Sequence, residues 1–207
     1  MKLKPYIDYF KYVINHKKNV FIECWKAGLY LHAFTHDLSK FLPCEFIPYA
    51  RYFYIDKEKY KNDFEKAWEH HQLNNPHHWN YWQYDLHGYY NGMCTLKDSV
   101  MSNPDKMEYK YIKQMICDWK AMSRNFGGSA QQFYLDNYNE IKLNNDTRKK
   151  VEYELFGHLF SSDVTEFIYE MTLKEFYQAE GGYTDRFAFG ASPILMNYNV
   201  DLEKLKN

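Results

Sequence analysis

Apolar side chains recur at three- and four-residue steps along much of the chain, and the steps break at glycine and proline. Over residues 5–27, Tyr9, Val13, Val20, Cys24 and Ala27 share one stripe, which predicts a helix with Pro5 in its first turn and Gly28 as its stop. His16 falls on the same stripe. A shorter helix is expected over about 29–40, and Pro43 and Pro48 predict a turn and a short helix within FLPCEFIPYARYFY. Residues 58–73 read as another helix, with Tyr60, Phe64, Ala67, Trp68 and His71 on one face and Asn75-Pro76 as its end. Gly88, Gly92 and Asn103-Pro104 predict loops around short pieces over 80–104. The helical period returns over 105–124, with Met107, Tyr111, Met115 and Met122 on one side and Gly127-Gly128 as the stop. Helices over 129–140 and 145–157 follow, with Asp146 or Thr147 as the cap of the second. A helical stretch over about 163–178 then precedes the Gly- and aromatic-rich GGYTDRFAFGASP. With no strand alternation and no repeat, the expected fold class is all-α: a helical domain over 1–157, and an irregular extension over 158–207 packed on it.

Composition narrows the functional classes. Twenty-six Lys+Arg against 27 Asp+Glu leave the chain near neutral, which removes the electrostatic case for bulk nucleic-acid or anionic-membrane binding. Aromatics make up 20% of the residues, with 21 Tyr, 15 Phe and 5 Trp. A ring-rich core is the expected use, ahead of a stacking platform for bases, and buried Tyr hydroxyls need partners. Cys24, Cys44, Cys94 and Cys117 are scattered, with no Cys-x-x-Cys pair, as expected of reduced thiols. The start, MKLKPYIDYFKYVINHKK, has no apolar core of a signal peptide, and no run approaches the roughly 18–20 apolar residues of a membrane span. A soluble cytoplasmic protein is expected.

The chemistry begins at HDLSK, residues 36–40. Read as neighbours on a helix, His36 and Asp37 could both reach an ion at the helix edge, the imidazole giving a neutral nitrogen and the carboxylate an oxygen able to bridge two metals. The doublet alone is a weak signal. Asp118 strengthens it, because it lies on the apolar side of its helix between Met115 and Met122, where a carboxylate must be paired or metal-bound. By itself Asp118 reads more readily as half of a salt bridge to an Arg or Lys, or as a cap. Together with His16 it suggests ligands converging from three helices. EHHQLNNPHHW adds His70, His71, His77 and His78 within nine residues. Such histidines can complete a second metal, protonate a leaving group or bind an anion. His71 shares the Phe64/Trp68 face, so His70 or His71 is expected at the metal, and His77 and His78 at the pocket mouth. His32 and His36 are spaced like a zinc-binding pair, but Ala33 stands where a zincin carries Glu. No phosphate-binding glycine loop and no serine-hydrolase elbow occurs.

His16, His36, Asp37 and Asp118 resemble, in order, the lone His, His-Asp doublet and distant Asp of the HD superfamily of metal-dependent phosphohydrolases. HDLSK is similar to that superfamily's His-Asp-x-Gly/Ser-Lys form. More closely, HDLSKFLPCEFIPYARYFY, AWEHHQLNNPHHW, KQMICDWKAMSR and LNNDTRKKVE resemble a small family of bacterial and phage proteins with no assigned substrate, over roughly residues 5–157. The twenty residues from His16 to the doublet are fewer than in most HD enzymes, and the tail after about 158 has no counterpart. The resemblance implies an HD-domain-like bundle and a hydrolase in which metal-activated water attacks phosphorus of a small nucleotide-like phosphomonoester or diester. It implies His16, His36, Asp37 and Asp118 as ligands, with His70 and His71 available for a second ion. Mixed nitrogen and carboxylate donors suit one or two ions of Mn, Fe, Co, Ni or Zn. Asp37, Lys40 and His71 are the expected catalytic groups, and Lys40, Arg51, His77 and His78 the expected phosphate or substrate contacts. The competing readings are a non-enzymatic protein that sequesters a nucleotide and an HD-fold di-iron oxygenase.

Overall fold

The longest apolar stripe forms the longest helix. α1 spans Lys4–Lys26 and buries Tyr9, Val13, His16, Val20 and Cys24. Gly28, at φ 74°, ends it. The Leu29 amide reaches the Cys24 carbonyl at 2.8 Å and the Gly28 amide the Trp25 carbonyl at 3.2 Å, the bond pair that closes a helix through a left-handed residue.

The computed structural model describes residues 3–157. The helix expected over 163–178, the GGYTDRFAFGASP segment and the packing of the extension all lie outside those residues. After α1 come α2 (Tyr30–Thr35), a 3-10 turn (Leu38–Phe41), α3 (Pro43–Tyr54), α4 (Lys61–Asn74) and a second 3-10 turn (Trp79–Gln83). α5 (Leu86–Tyr90), α6 (Tyr109–Phe126), α7 (Ala130–Asp136) and α8 (Asn145–Phe156) complete the series. Among the described residues there is no strand, only an isolated bridge between Tyr84 and Val100. The fold is all-α, and no described helix is long and apolar enough to cross a membrane.

Three local expectations change. The helix expected over 29–40 stops at Thr35, because His36 is extended and Asp37 is left-handed. α3 is a full 12 residues and runs through Pro48. Proline removes the amide that would meet the Cys44 carbonyl, and Cys44 is exposed, so water can take its place. The cap of α8 is Asn144, whose side chain accepts from the Asp146 amide at 3.0 Å. Thr147 instead is buried and accepts from the Met107 amide at 3.0 Å, tying the approach to α6 onto α8.

α1 packs on α2, α3 and α6, α3 packs on α4, and α6 packs on α7 and α8. One apolar patch gathers Ile112, Met115, Tyr134, Ile141 and Val151 around α6. A second joins α1, α3 and α4 through Tyr9, Val13, Tyr49, Ala50 and Ala67. A third joins α1, α2 and α6 through Val20, Cys24, Ala33, Cys117 and Ala121. His16 sits about one turn from both Val13 and Val20, so its polar group enters where the second and third patches meet.

Ile112 is fully buried in the first patch, and its truncation separates packing from site chemistry. Ile112→Ala should lower unfolding free energy by about 2–5 kcal/mol in urea titrations and leave metal binding unchanged. A loss under about 1 kcal/mol would show that α6 is not the packing centre described here.

Candidate metal centre

The His36-Asp37 doublet lies at a chain break rather than along a helix. His36 caps α2 with φ −52° and ψ 128°, and Asp37 follows at φ 54° and ψ 31°. Asp37 is the one non-glycine residue with positive φ among the described residues. Asp tolerates this region better than most residues, and such conformations gather at functional sites. The Lys17 ammonium holds the turn from outside, donating to the carbonyls of Phe34 at 2.7 Å and His36 at 2.9 Å.

This turn sets the Asp37 carboxylate among imidazoles from four elements. Asp37 Oδ2 lies 3.1 Å from His36 Nε2 and 3.8 Å from His16 Nε2 of α1. Asp118 Oδ1, from α6, lies 3.0 Å from His16 Nε2 and 3.6 Å from His36 Nε2. The other oxygen, Asp37 Oδ1, lies 3.4 Å from His71 Nε2 of α4 and 3.4 Å from His77 Nε2 of the turn that follows. Two atoms bound about 2.0–2.2 Å from one ion at tetrahedral or octahedral angles stand roughly 2.8–3.6 Å apart. Most of these separations fall in that window. Two sets of buried groups could each hold a metal ion: His16, His36 and Asp118, and Asp37, His71, His77 and His78. Asp37 stands between them with one oxygen toward each.

The donors fit a cation on a second count. Asp37 Oδ1, Asp118 Oδ1, and the Nε2 atoms of His71, His77 and His78 are buried with no hydrogen-bond partner among the described residues, while Asp37 Oδ2 is ion-paired with Lys40. Burial pushes both aspartates up, but His36, Lys40 and His71 around Asp37, and His16 and His36 around Asp118, hold both carboxyls well below the usual range. Burial pushes His36 down, yet the carboxylates of Asp37 and Asp118 outweigh it and hold the imidazole up at about 9. Burial pushes His77 and His78 down, so both are neutral donors of a lone pair.

A surrounding layer fixes which imidazole nitrogen faces inward. Glu45, fully buried at the start of α3, accepts from His71 Nδ1 through Oε2 at 2.9 Å. That bond assigns the proton to Nδ1 and leaves His71 Nε2 free toward Asp37. Ser39 Oγ donates to the same Glu45 oxygen at 3.0 Å. His32, lowered to about 3 by burial and by His36 and His77, is neutral, and its Nε2 lies 3.2 Å from His36 Nδ1. As acceptor there, it leaves His36 Nε2 for the centre. Asn75 Nδ2 donates to the His71 carbonyl at 2.7 Å, and the His78 amide to the Asn75 carbonyl at 3.0 Å. The Asn75-Pro76 turn therefore folds back instead of leading away.

His16, His36, Asp37, His71 and Asp118 are thus brought together. His70 is not: it is an exposed residue whose Nδ1 lies 2.9 Å from Glu45 Oε1. His77 and His78, expected at the pocket mouth, are buried, and His77 belongs to the cluster itself because of the turn just described. Lys40 Nζ lies 2.5 Å from Asp37 Oδ2. Arg51 is engaged elsewhere: it donates to the Tyr6 hydroxyl at 3.2 Å and lies over the Tyr60 ring. A cavity of about 520 Å³ adjoins the cluster, and His16, Lys40, His78 and Asp118 are part of its wall. Sequence reasoning missed Glu45, Ser39 and the inward role of His32. The available signal for Glu45 was its place four residues before Tyr49 on the buried side of α3.

Two measurements test this geometry. Because His36 is protonated below about 9, a divalent ion that takes its Nε2 must displace that proton at neutral pH, and affinity must rise as pH approaches 9. Calorimetry in buffers of different ionisation enthalpy should read about one released proton per ion; pH-independent binding without release would contradict the ligand role of His36. Glu45→Gln should weaken metal binding by about 10- to 100-fold, by equilibrium dialysis, with the helical circular-dichroism signal retained. An unchanged affinity would reduce Glu45 to a packing role.

No curated protein and no solved structure matches the chain. A family model, a family of unknown function (DUF5662), matches residues 6–172, which span His16, His36, Asp37, His71, His77 and Asp118 and continue beyond residue 157. By that match, the chain belongs to the DUF5662 family.

Proposed function

We propose that this chain is a metal-dependent phosphohydrolase of the HD type, acting on a small nucleotide-like phosphomonoester or diester with one or two ions of Mn, Fe, Co, Ni or Zn. The observation that carries the reading is the Asp37 carboxylate between two imidazole sets, beside a cavity that Lys40 also lines. Mixed nitrogen and carboxylate donors favour these metals over calcium, which prefers all-oxygen shells. When bound, such ions would activate water and neutralise charge developing on the phosphoryl oxygens.

The chain's own groups supply the rest. His16, His36 and Asp118 would hold an ion on one side of the centre and His71 and His77 on the other, with the Asp37 carboxylate between the two sets. Burial pushes Lys40 down, but Asp37 outweighs it and holds the ammonium charged. At the cavity wall that ammonium can take a phosphate oxygen. His78, neutral and on the same wall, can hydrogen-bond the leaving oxygen. Buried imidazole and carboxylate groups beside a cavity also suit a protein that binds a nucleotide without turnover, and the same experiment separates the two.

Untagged protein should carry at least one transition metal per chain and release phosphate or nucleotide from a panel of nucleoside phosphates and cyclic or linear diesters. Asp37→Ala should lose the metal and the activity together. Lys40→Ala should keep the metal and lower kcat/KM by roughly tenfold or more. If none of the five metals supports release from any panel member, the hydrolase reading fails and nucleotide binding remains.

A further inference from the structure

The cavity beside the centre is walled mainly by aromatic rings, more than contact with phosphate requires. From His16, an aromatic series leads along one wall: Tyr12 stacks on the His16 ring at 6.3 Å with 10° between planes, and Phe126 lies 6.1 Å from Tyr12. Another wall carries Trp79, Trp119 and Phe133, with Trp119 lying 6.0 Å from Trp79 and 5.3 Å from Phe133. All six residues, with Tyr9 and Tyr49, line the cavity. Its volume, about 520 Å³, lies within the range that takes a small ligand nearly whole.

A second feature is independent of the rings' apolar faces. The hydroxyls of Tyr9 and Tyr49 and the Trp79 indole N–H are buried and have no hydrogen-bond partner among the described residues. Tyr9 and Tyr49 are themselves 1% and 5% exposed. A buried donor of this kind is ordinarily paired, and an acceptor on a ligand would complete it. Phe126 and Phe133 are exposed at the surface despite lining the cavity. They are surface rings available to a ligand without disturbing the core.

We infer that this cavity binds a planar aromatic group bearing hydrogen-bond acceptors, joined to the phosphate that the metal centre engages. A nucleobase and a substituted aryl ring share that chemistry; a sugar phosphate lacks it. The inference rests on the phosphohydrolase reading for the phosphate end only. The ring end is a binding property that holds whether or not turnover occurs.

The test is calorimetric binding to the full chain of adenosine 5′-monophosphate, 1-naphthyl phosphate, glucose 6-phosphate and inorganic phosphate, with adenosine as a phosphate-free probe. The two ring phosphates should bind at least about tenfold tighter than glucose 6-phosphate. Phe126→Ala and Phe133→Ala should each weaken both ring ligands by about tenfold and leave inorganic phosphate unchanged. Tyr49→Phe, which keeps the ring and removes the hydroxyl, should weaken the adenine ligands and spare 1-naphthyl phosphate, whose ring has no acceptor. Adenosine should still bind Asp37→Asn, since its site does not need the metal. Absence of hydrolysis with this pattern intact would remove the hydrolase reading and leave the cavity assignment standing. Equal affinity for glucose 6-phosphate and the ring phosphates, or no effect of either phenylalanine variant, would overturn it.

Discussion

A carboxylate removed from water must be met by donors or by positive charge, and among the described residues Asp37 and Asp118 are two such groups, a few ångströms from shared imidazoles. The isolated cost of burying one such ion is several kcal/mol. Here the cost is offset by concentration: His16, His36, His71 and His77 all face the two groups, and Lys40 adds a fixed charge to Asp37. The raised His36 and the lowered aspartates are one fact seen from two sides. A proton on His36 stands where a cation's charge would otherwise act.

That cluster dictates much of the local backbone. Asp37 could not give one oxygen to His36 and the other to His71 from a continuous helix, because successive helical side chains diverge by about 100°. The break after Thr35 and the left-handed Asp37 turn the carboxylate into the bundle, and the 3-10 turn returns the chain so that Lys40 comes back upon it. Glu45 then holds His71 from behind with one oxygen and His70 with the other. The same adjacency explains why one histidine of that pair faces the centre and its neighbour faces outward.

The sequence was most legible where a polar residue interrupted a long apolar stripe. His16 between Val13 and Val20, Asp118 between Met115 and Met122, and His71 on the Phe64/Trp68 face all announce burial through helical period alone, and all three are buried. Legibility failed where position depends on a turn. His77 reaches the centre only because Asn75 bonds back to His71, a tertiary consequence of a dipeptide that ordinarily reads as an exit from a helix. Glu45 was hidden by Pro43 and Pro48, which make a short helix the natural expectation for a segment that is helical over 12 residues. Arg51, near the motif in sequence, has the Tyr6 hydroxyl and the Tyr60 ring as its contacts, a placement that sequence proximity does not reveal.

The aromatic excess can be understood in the same physical terms. Rings serve as core where several pack on one another, as Tyr9, Phe46 and Tyr49 do between α1 and α3. Yet a core tyrosine normally finds a partner for its hydroxyl, and Tyr9 and Tyr49 have none among the described residues. Two pressures therefore meet at these positions: the ring is held by packing and belongs to the lining of an aromatic-rich cavity, and the hydroxyl is left without a partner. An all-apolar lining would have been the more stable solution for a purely structural interior, since it would carry no unmet donor. Retaining donors on rigid rings, next to a cluster of unpartnered metal-type ligands, is the arrangement a ligand with both a flat face and polar edges would complete.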